Sequence, residues 1–284
     1  MKRKRKRLKK RVKFFIFIFI IFLTIFLYNN KKENIDKEEQ ISHSNISNES
    51  ISYSTTTQTK EPLEKLEELS QKDKRIKTII ENKGSYPEIL LMMLSKNTDM
   101  TDYVYHYNKY KGKVFSDNLG KVKKGQYPLL LQYDKRWGYG NYGDSVIAMS
   151  GCGPTSVAMV IAGLTGRNDI TPYDIAKYAY ENGYYENGTS WDFFTKGVIK
   201  YGIIGKEIAL SESVMVKELK KGHPIICSMR PGDFTTTGHL ILITDYKNDK
   251  FKINDPNSKE RSNKLWSYQT LKTQIKNLWS FTEY

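Results

Sequence analysis

The heptapeptide Ser150-Gly151-Cys152-Gly153-Pro154-Thr155-Ser156, running directly into the apolar Val157-Ala158-Met159-Val160-Ile161-Ala162-Gly163, constrains this chain more than any other stretch. A proline at the start of a helix has its φ preset and lacks only an N–H that would be unpaired there, so Pro154 marks the first helical position or one close to it. Cys152 then stands at the mouth of a helix. The unpaired N–H groups and positive dipole end at that mouth favour negative charge, the condition under which a cysteine becomes a nucleophile near neutral pH. Gly151 and Gly153 carry no Cβ, which predicts room for a substrate carbonyl to approach the backbone. A buried cysteine in a helix cap fits the same residues, so the choice rests on what lies downstream.

Charge places the rest of the chain. Of its 46 basic residues ten fall within residues 1–13, where no acid occurs; beyond residue 13, 36 basic residues face 31 acidic ones, a net of only +5. Such a distribution describes a basic leader and argues against a nucleic-acid binder, whose positive charge would spread over a face of the domain. Residues 14–28 are almost wholly Phe, Ile and Leu, interrupted only by Thr24. As helix they rise about 22 Å against a hydrocarbon core of about 30 Å, and a span becomes feasible with Val12 included, Lys13 snorkelling and some local thinning of the bilayer. The stretch from Thr24 to Asn30 offers no small residues for signal cleavage, so the expectation is an uncleaved single-pass anchor, with secretion after cleavage as the alternative. Ten basic residues ahead of it predict a cytoplasmic N-terminus and an extracellular remainder.

Residues 29–60 are rich in Ser, Thr, Asn, Glu and Lys, with too few core formers to offset their ordering entropy, and read as a tether. From Pro62 the leucines 63, 66 and 69 and the isoleucines 76, 79 and 80 recur at helical spacing; Glu88 to Leu94 predicts another helix and Tyr103 to Tyr110 a third. The tyrosines interleaved with Lys109 and Lys111 suit a glycan or nucleic-acid surface or amphipathic packing, and packing is the simpler account. Residues 61–124 therefore read as a helical preface, and 125–284 as the catalytic domain.

In that domain capping signals predict helices from Thr171 to Gly183, from Ser190 to Tyr201 and from Ser211 to Gly222. Strands follow over Pro224 to Met229, Leu240 to Tyr246, Phe251 to Asn254 and Trp279 to Tyr284, with Asn248-Asp249 as a hairpin turn. Helices followed by an antiparallel sheet make an α+β order.

Four histidines limit the choice of a base. His43 falls in the tether and His106 in the preface. His223 precedes Pro224 at a turn, where a polar residue needs no special reason. His239 stands between Thr235-Thr236-Thr237-Gly238 and an apolar strand, from which an imidazole can point into a cleft. Sixteen residues on, Asp255 closes the neighbouring strand, close enough in register to orient that imidazole; Asp255-Pro256-Asn257 is equally ordinary turn chemistry. Acyl transfer also needs donors to a developing oxyanion: the Cys152 N–H can be one and the side chain of Gln132 the other. Trp191 and Tyr139 are candidate pocket walls. No CxxC or HExxH spacing suggests a metal, and no cofactor is expected. Cys227 reads as a core residue, although a disulfide with Cys152 stays open.

The ordered set Gln132-x-Asp134-x-x-Trp137, Gly151-Cys152-Gly153-Pro154-Thr155-Ser156, Gly238-His239 and Asn254-Asp255-Pro256 resembles the papain-like cysteine peptidases related to the bacteriocin-processing, double-glycine leader peptidases, over residues 128 to 284. That resemblance implies a papain-like fold, with Cys152 as nucleophile, His239 as base, Asp255 as orienting residue and Gln132 as oxyanion-hole amide. It implies a hydrolase of peptide or other amide bonds, with a peptide or amide substrate met outside the cell. A cysteine acyltransferase and a non-catalytic surface binding module on the same fold are the alternatives. The bacteriocin processors are fused to an ATP-driven exporter, and this chain carries no Walker loop, so leader cleavage during export does not transfer.

Overall fold

The structure, a computed structural model, describes residues 61–284; the basic leader, the expected anchor over 14–28 and the expected tether over 29–60 lie outside the described residues. Among the described residues no helix is long and apolar enough to cross a membrane. Residues 62–284 form one compact unit.

The leucine and isoleucine spacing after Pro62 resolves into two helices, α1 (61–70) and α2 (Lys74–Glu81), because Asp73 restarts the winding by accepting the Arg75 N–H at 2.8 Å. Helix α3 (Glu88–Lys96) follows Pro87, and the tyrosine stretch is divided at His106 into α4 (Thr101–Tyr105) and α5 (Tyr107–Tyr110). Leu66, Ile79, Leu90, Leu94, Tyr103 and Tyr107 are buried against Tyr133, Tyr139, Val146 and Ala148 in one apolar core. Each fully buried aliphatic chain in it contributes about 1.5–3 kcal/mol relative to exposure. Tyr103 stacks on Tyr139 with ring centroids 4.3 Å apart, and the two hydroxyls are satisfied by backbone carbonyls of Gly138 and Tyr103. The tyrosine stripe is thus spent largely on packing.

A small hairpin, β1 (Asn141–Tyr142) and β2 (Ser145–Val146), leads into α6 (Ile147–Ser150) and the central α7 (Cys152–Thr165). Every residue of α7 from Gly153 to Gly163 is buried, as befits a helix apolar on all sides. Helix α8 (Pro172–Glu181) starts with a full capping box between Thr171 and Asp174. The helix expected over Ser190 to Tyr201 is instead two 3-10 segments, Trp191–Phe194 and Gly197–Tyr201. Phe193 and Phe194 are both fully buried, and Gly197 lies so close under the Phe193 ring that a Cβ would sit 2.3 Å from it; packing overrides the helical spacing here.

Six strands form an antiparallel sheet in the order β3-β8-β4-β5-β6-β7. They are β3 (Ile203–Glu207), β4 (Ile225–Met229), β5 (His239–Lys247), β6 (Lys250–Asn254), β7 (Leu265–Trp266) and β8 (Ile275–Glu283), with α9 (Glu212–Lys220), α10 (Lys259–Ser262) and α11 (Tyr268–Lys272) between them. Asn248 and Asp249, at φ of 52° and 55°, make the tight turn between β5 and β6 that the sequence predicts. Strand β3 went unread in the sequence: only Ile203 and Gly205 face the core, which leaves no apolar run.

Alternation along the strands builds two layers. Ile226, Leu240, Leu242, Trp279 and Phe281 pack with α7, whereas Ile225, Cys227, Ile241, Ile243 and Leu278 pack with Met215 of α9 and Leu271 of α11. Cys227 therefore lies on the far side of the sheet from α7. Both cysteines are free, and burial pushes the Cys227 thiol pKa far up.

Candidate active site

Helix α7 begins at Cys152 itself, so Pro154 is its third residue and not its first. The shift is tolerated because the third helical N–H also lacks an i−4 partner within the helix. Cys152 is half-buried at the junction of α6 and α7. The two glycines beside it do a different job from the one expected. A Cβ on Gly153 would lie 2.3 Å from Thr189 Oγ1, and one on Gly151 would lie 2.5 Å from Ile147 Cγ2. Their missing side chains admit the protein's own neighbours, which lets α7 seat closely.

His239 opens β5 opposite Met229 of β4, and its side chain is only 8 % exposed. Its Nε2 lies 2.8 Å from Asp255 Oδ1. An ionised carboxylate only accepts, so Nε2 carries the proton and Nδ1 is the nitrogen left for chemistry. Burial works against a charged imidazole, but the Asp255 carboxylate, through its charge and its hydrogen bond, together with the Cys152 side chain, outweighs it and pushes the His239 pKa up to about 10.

Asp255 is fully buried where β6 runs out. Burial opposes its charge as well, and His239 followed by Arg261 overcomes the penalty, holding the carboxyl below the usual carboxylate range. Its Oδ1 also accepts the Asn257 N–H at 2.7 Å, its Oδ2 accepts Arg261 Nε at 2.5 Å, and its own N–H donates to Ser262 Oγ at 2.8 Å. Both readings of Asp255-Pro256-Asn257 are thus present together, since turn geometry supplies one of the bonds that keep the carboxylate ionised. Arg261, six residues on, escaped the sequence reading because nothing in its neighbourhood marks it as different from the surrounding surface charges.

Gln132 is 2 % exposed and follows residues 128–131, which form no strand. The carbonyls of Tyr127 and Pro128 are taken by the side-chain amide of Asn254, the last residue of β6. The Gln132 N–H donates to Pro256 O at 2.8 Å, tying it to the Asp255 turn, and Nε2 donates one proton to Ala148 O at 2.6 Å. That bond fixes the amide orientation and leaves the second Nε2 proton available. Asp134 and Trp137 shape this turn: Asp134 O accepts the Trp137 N–H, and the Trp137 indole N–H donates to Leu131 O at 2.9 Å.

Cys152, Gln132 and His239 line one cleft of about 330 Å³, with Asp255 buried behind the imidazole. The remaining walls are apolar at Ile89, Met92 and Met93 of α3 and Met149 of α6, and polar at Lys96, Asn97, Asn257, Arg261 and much of the loop 232–238. That loop is anchored: Gln274 bonds Asp233 at both its N–H and its carboxylate, and Phe234 is buried against Trp266. The two wall candidates from sequence lie elsewhere. Tyr139 is fully buried in the core shared with the N-terminal helices, and Trp191 is half-exposed in a separate depression with Lys276. His223 is also remote from the cleft, with Nδ1 2.8 Å from Glu218 Oε2.

Among solved structures, the peptidase domain of Streptococcus ComA, a bifunctional ABC transporter involved in quorum sensing, is similar at 19 % identity, covering 56 % of this chain and 100 % of that domain with a TM-score of 0.40. A Bacillus anthracis protein described as C39-like is similar at 17 % identity, covering 58 % of this chain and 98 % of that one with a TM-score of 0.33. A comparison with curated proteins finds no match. Residues 124–284, more than half of the chain, match the model of the Peptidase_C39 like family, and the protein belongs to that family.

Proposed function

We propose that the protein is a cysteine hydrolase of peptide or other amide bonds, held at the outer face of a membrane by its N-terminal residues. The observation that carries the enzymatic reading is the convergence of Cys152, His239 and Gln132 on one cleft, with a buried, ionised Asp255 fixing the imidazole through Nε2.

His239 rests as an imidazolium that holds the Cys152 proton on Nδ1, and the Cys152 thiolate attacks the substrate carbonyl carbon, sending an electron pair to its oxygen. The oxyanion is met by N–H groups at the start of α7 and by the free proton of Gln132 Nε2. As the C–N bond breaks, Nδ1–H protonates the leaving amine and a thioester remains. Water then loses a proton to Nδ1 as it attacks the thioester, and the sulfur leaves as thiolate. Asp255 stays ionised throughout and stabilises the imidazolium.

Cys152→Ala should keep the fold and abolish amide hydrolysis, and His239→Ala should do the same. His223→Ala should retain most of the activity; equal loss in folded His223→Ala would reassign the base. Gln132→Ala should lower kcat by about 10² to 10³ at near-constant KM, with iodoacetamide alkylation of Cys152 almost unchanged, because alkylation builds no oxyanion. If alkylation slowed as much as turnover, Gln132 would be serving the thiol or the fold.

A further inference from the structure

Helix α3 carries two apolar stripes. Leu90, Leu91 and Leu94 fill the core, as any amphipathic helix requires. Ile89, Met92 and Met93 recur at i, i+3 and i+4 and line the cleft, with Lys96 continuing the stripe at i+7. Met93 and Met149 are rooted in the core, whereas Ile89 is 46 % exposed and Met92 half-buried. An isolated exposed aliphatic needs no explanation, but this one adjoins two methionines and a cysteine at a helix mouth. The stripe is also held in place: Asn97, directly after α3, donates from Nδ2 to the Asn257 carbonyl at 2.6 Å, and Lys96 Nζ reaches Thr236 Oγ1 at 3.4 Å. Helix α3 is thereby fastened to both loops that border His239, although it lies ahead of the family-matched residues.

We propose that Ile89, Met92 and Met93 of α3, with Met149, form a subsite of the cleft that receives a bulky apolar side chain of a peptide substrate beside its scissile bond. The proposal rests on Cys152 as the nucleophile. The occupant follows from continuity: the cleft that holds Cys152 has these side chains as its wall, so a peptide reaching the sulfur lies against them. Methionine is unbranched and polarisable, so a wall of three adapts to straight-chain and aromatic side chains and disfavours a charged one. The N-terminal helices then set specificity as well as packing, and the preference belongs to this chain's own segment.

The test uses two reagents on the full chain, iodoacetamide and N-benzyliodoacetamide, with Cys152 alkylation followed by intact mass. The wild type should prefer the benzyl reagent by about tenfold, the scale on which apolar pockets discriminate. Ile89→Ala/Met92→Ala, both outside the fully buried core, should lose most of that preference while its iodoacetamide rate stays within about twofold; Met92→Leu should retain it. A positional peptide library should show kcat/KM favouring Phe, Leu or Met over Asp at one position, and the double variant should flatten that position. Wild type labelled by both reagents without preference, or a preference unchanged in the double variant, overturns the subsite and leaves the nucleophile standing. Failure of both reagents to label Cys152 overturns the nucleophile, and the subsite with it.

Discussion

The Asp255 carboxylate holds three partners at once, and the pH dependence of the protein follows from its own titration and that of His239. Its carboxyl sits below its ordinary 3.8, so the stability it contributes is present above 3.8 and is lost as pH falls through its folded value. His239 sits above its ordinary 6.5, so its contribution is complete below 6.5 and is lost as pH rises through about 10. The two windows overlap between 3.8 and 6.5. Asp255→Asn should therefore lower the thermal midpoint most in that interval, and the gap to wild type should narrow on either side. Calorimetry of both proteins across pH 3 to 10.5 measures it; a gap that does not vary with pH would mean that Asp255 acts by shape alone.

Among the elements, α7 depends on close approach to its neighbours more than on helix propensity. Thr189 lies in the space a side chain on Gly153 would need, and its hydroxyl is 2.7 Å from the Tyr142 hydroxyl, so it has little freedom to move. Gly153→Ala should destabilise the protein by about 1–3 kcal/mol, the usual cost of overpacking, read as a lower denaturant midpoint with unchanged slope. Ala has a higher helix propensity than Gly, so a net loss at this first-turn position isolates the steric contribution. Equal or higher stability would show that the Thr189 segment yields.

For the whole molecule, the charge asymmetry makes a topological prediction. Ten basic residues ahead of an apolar stretch should keep the N-terminus cytoplasmic and place residues 61–284 outside. Protease added to intact cells should remove the C-terminal half and spare an N-terminal tag; a protected C-terminal half would reverse the assignment. The core shared by Leu66, Leu90 and Tyr107 with Tyr133 and Tyr139 extends the argument to truncation, since removing residues 61–110 would expose that apolar face to water.

Periodicity and capping made much of the α+β order legible: the capping box at Thr171, the Asn248-Asp249 turn, the apolar runs of β4 and β5 and the alternation of β6 are local features written in neighbouring residues. The ordered motifs around Gln132, Cys152, His239 and Asp255 pointed to the family for the same reason, since each is a short pattern with its own geometry. What local pattern cannot encode is which surfaces meet. The Ser190 to Tyr201 segment winds as 3-10 because two phenylalanines share one core, and Gly153 is glycine because Thr189, 36 residues away, stands against it. Arg261 and helix α3 read as ordinary surface charge and ordinary packing helix until the fold brings one to Asp255 and lays the other along the cleft. Close packing across long sequence separations decides such contacts, and only the tertiary structure contains them.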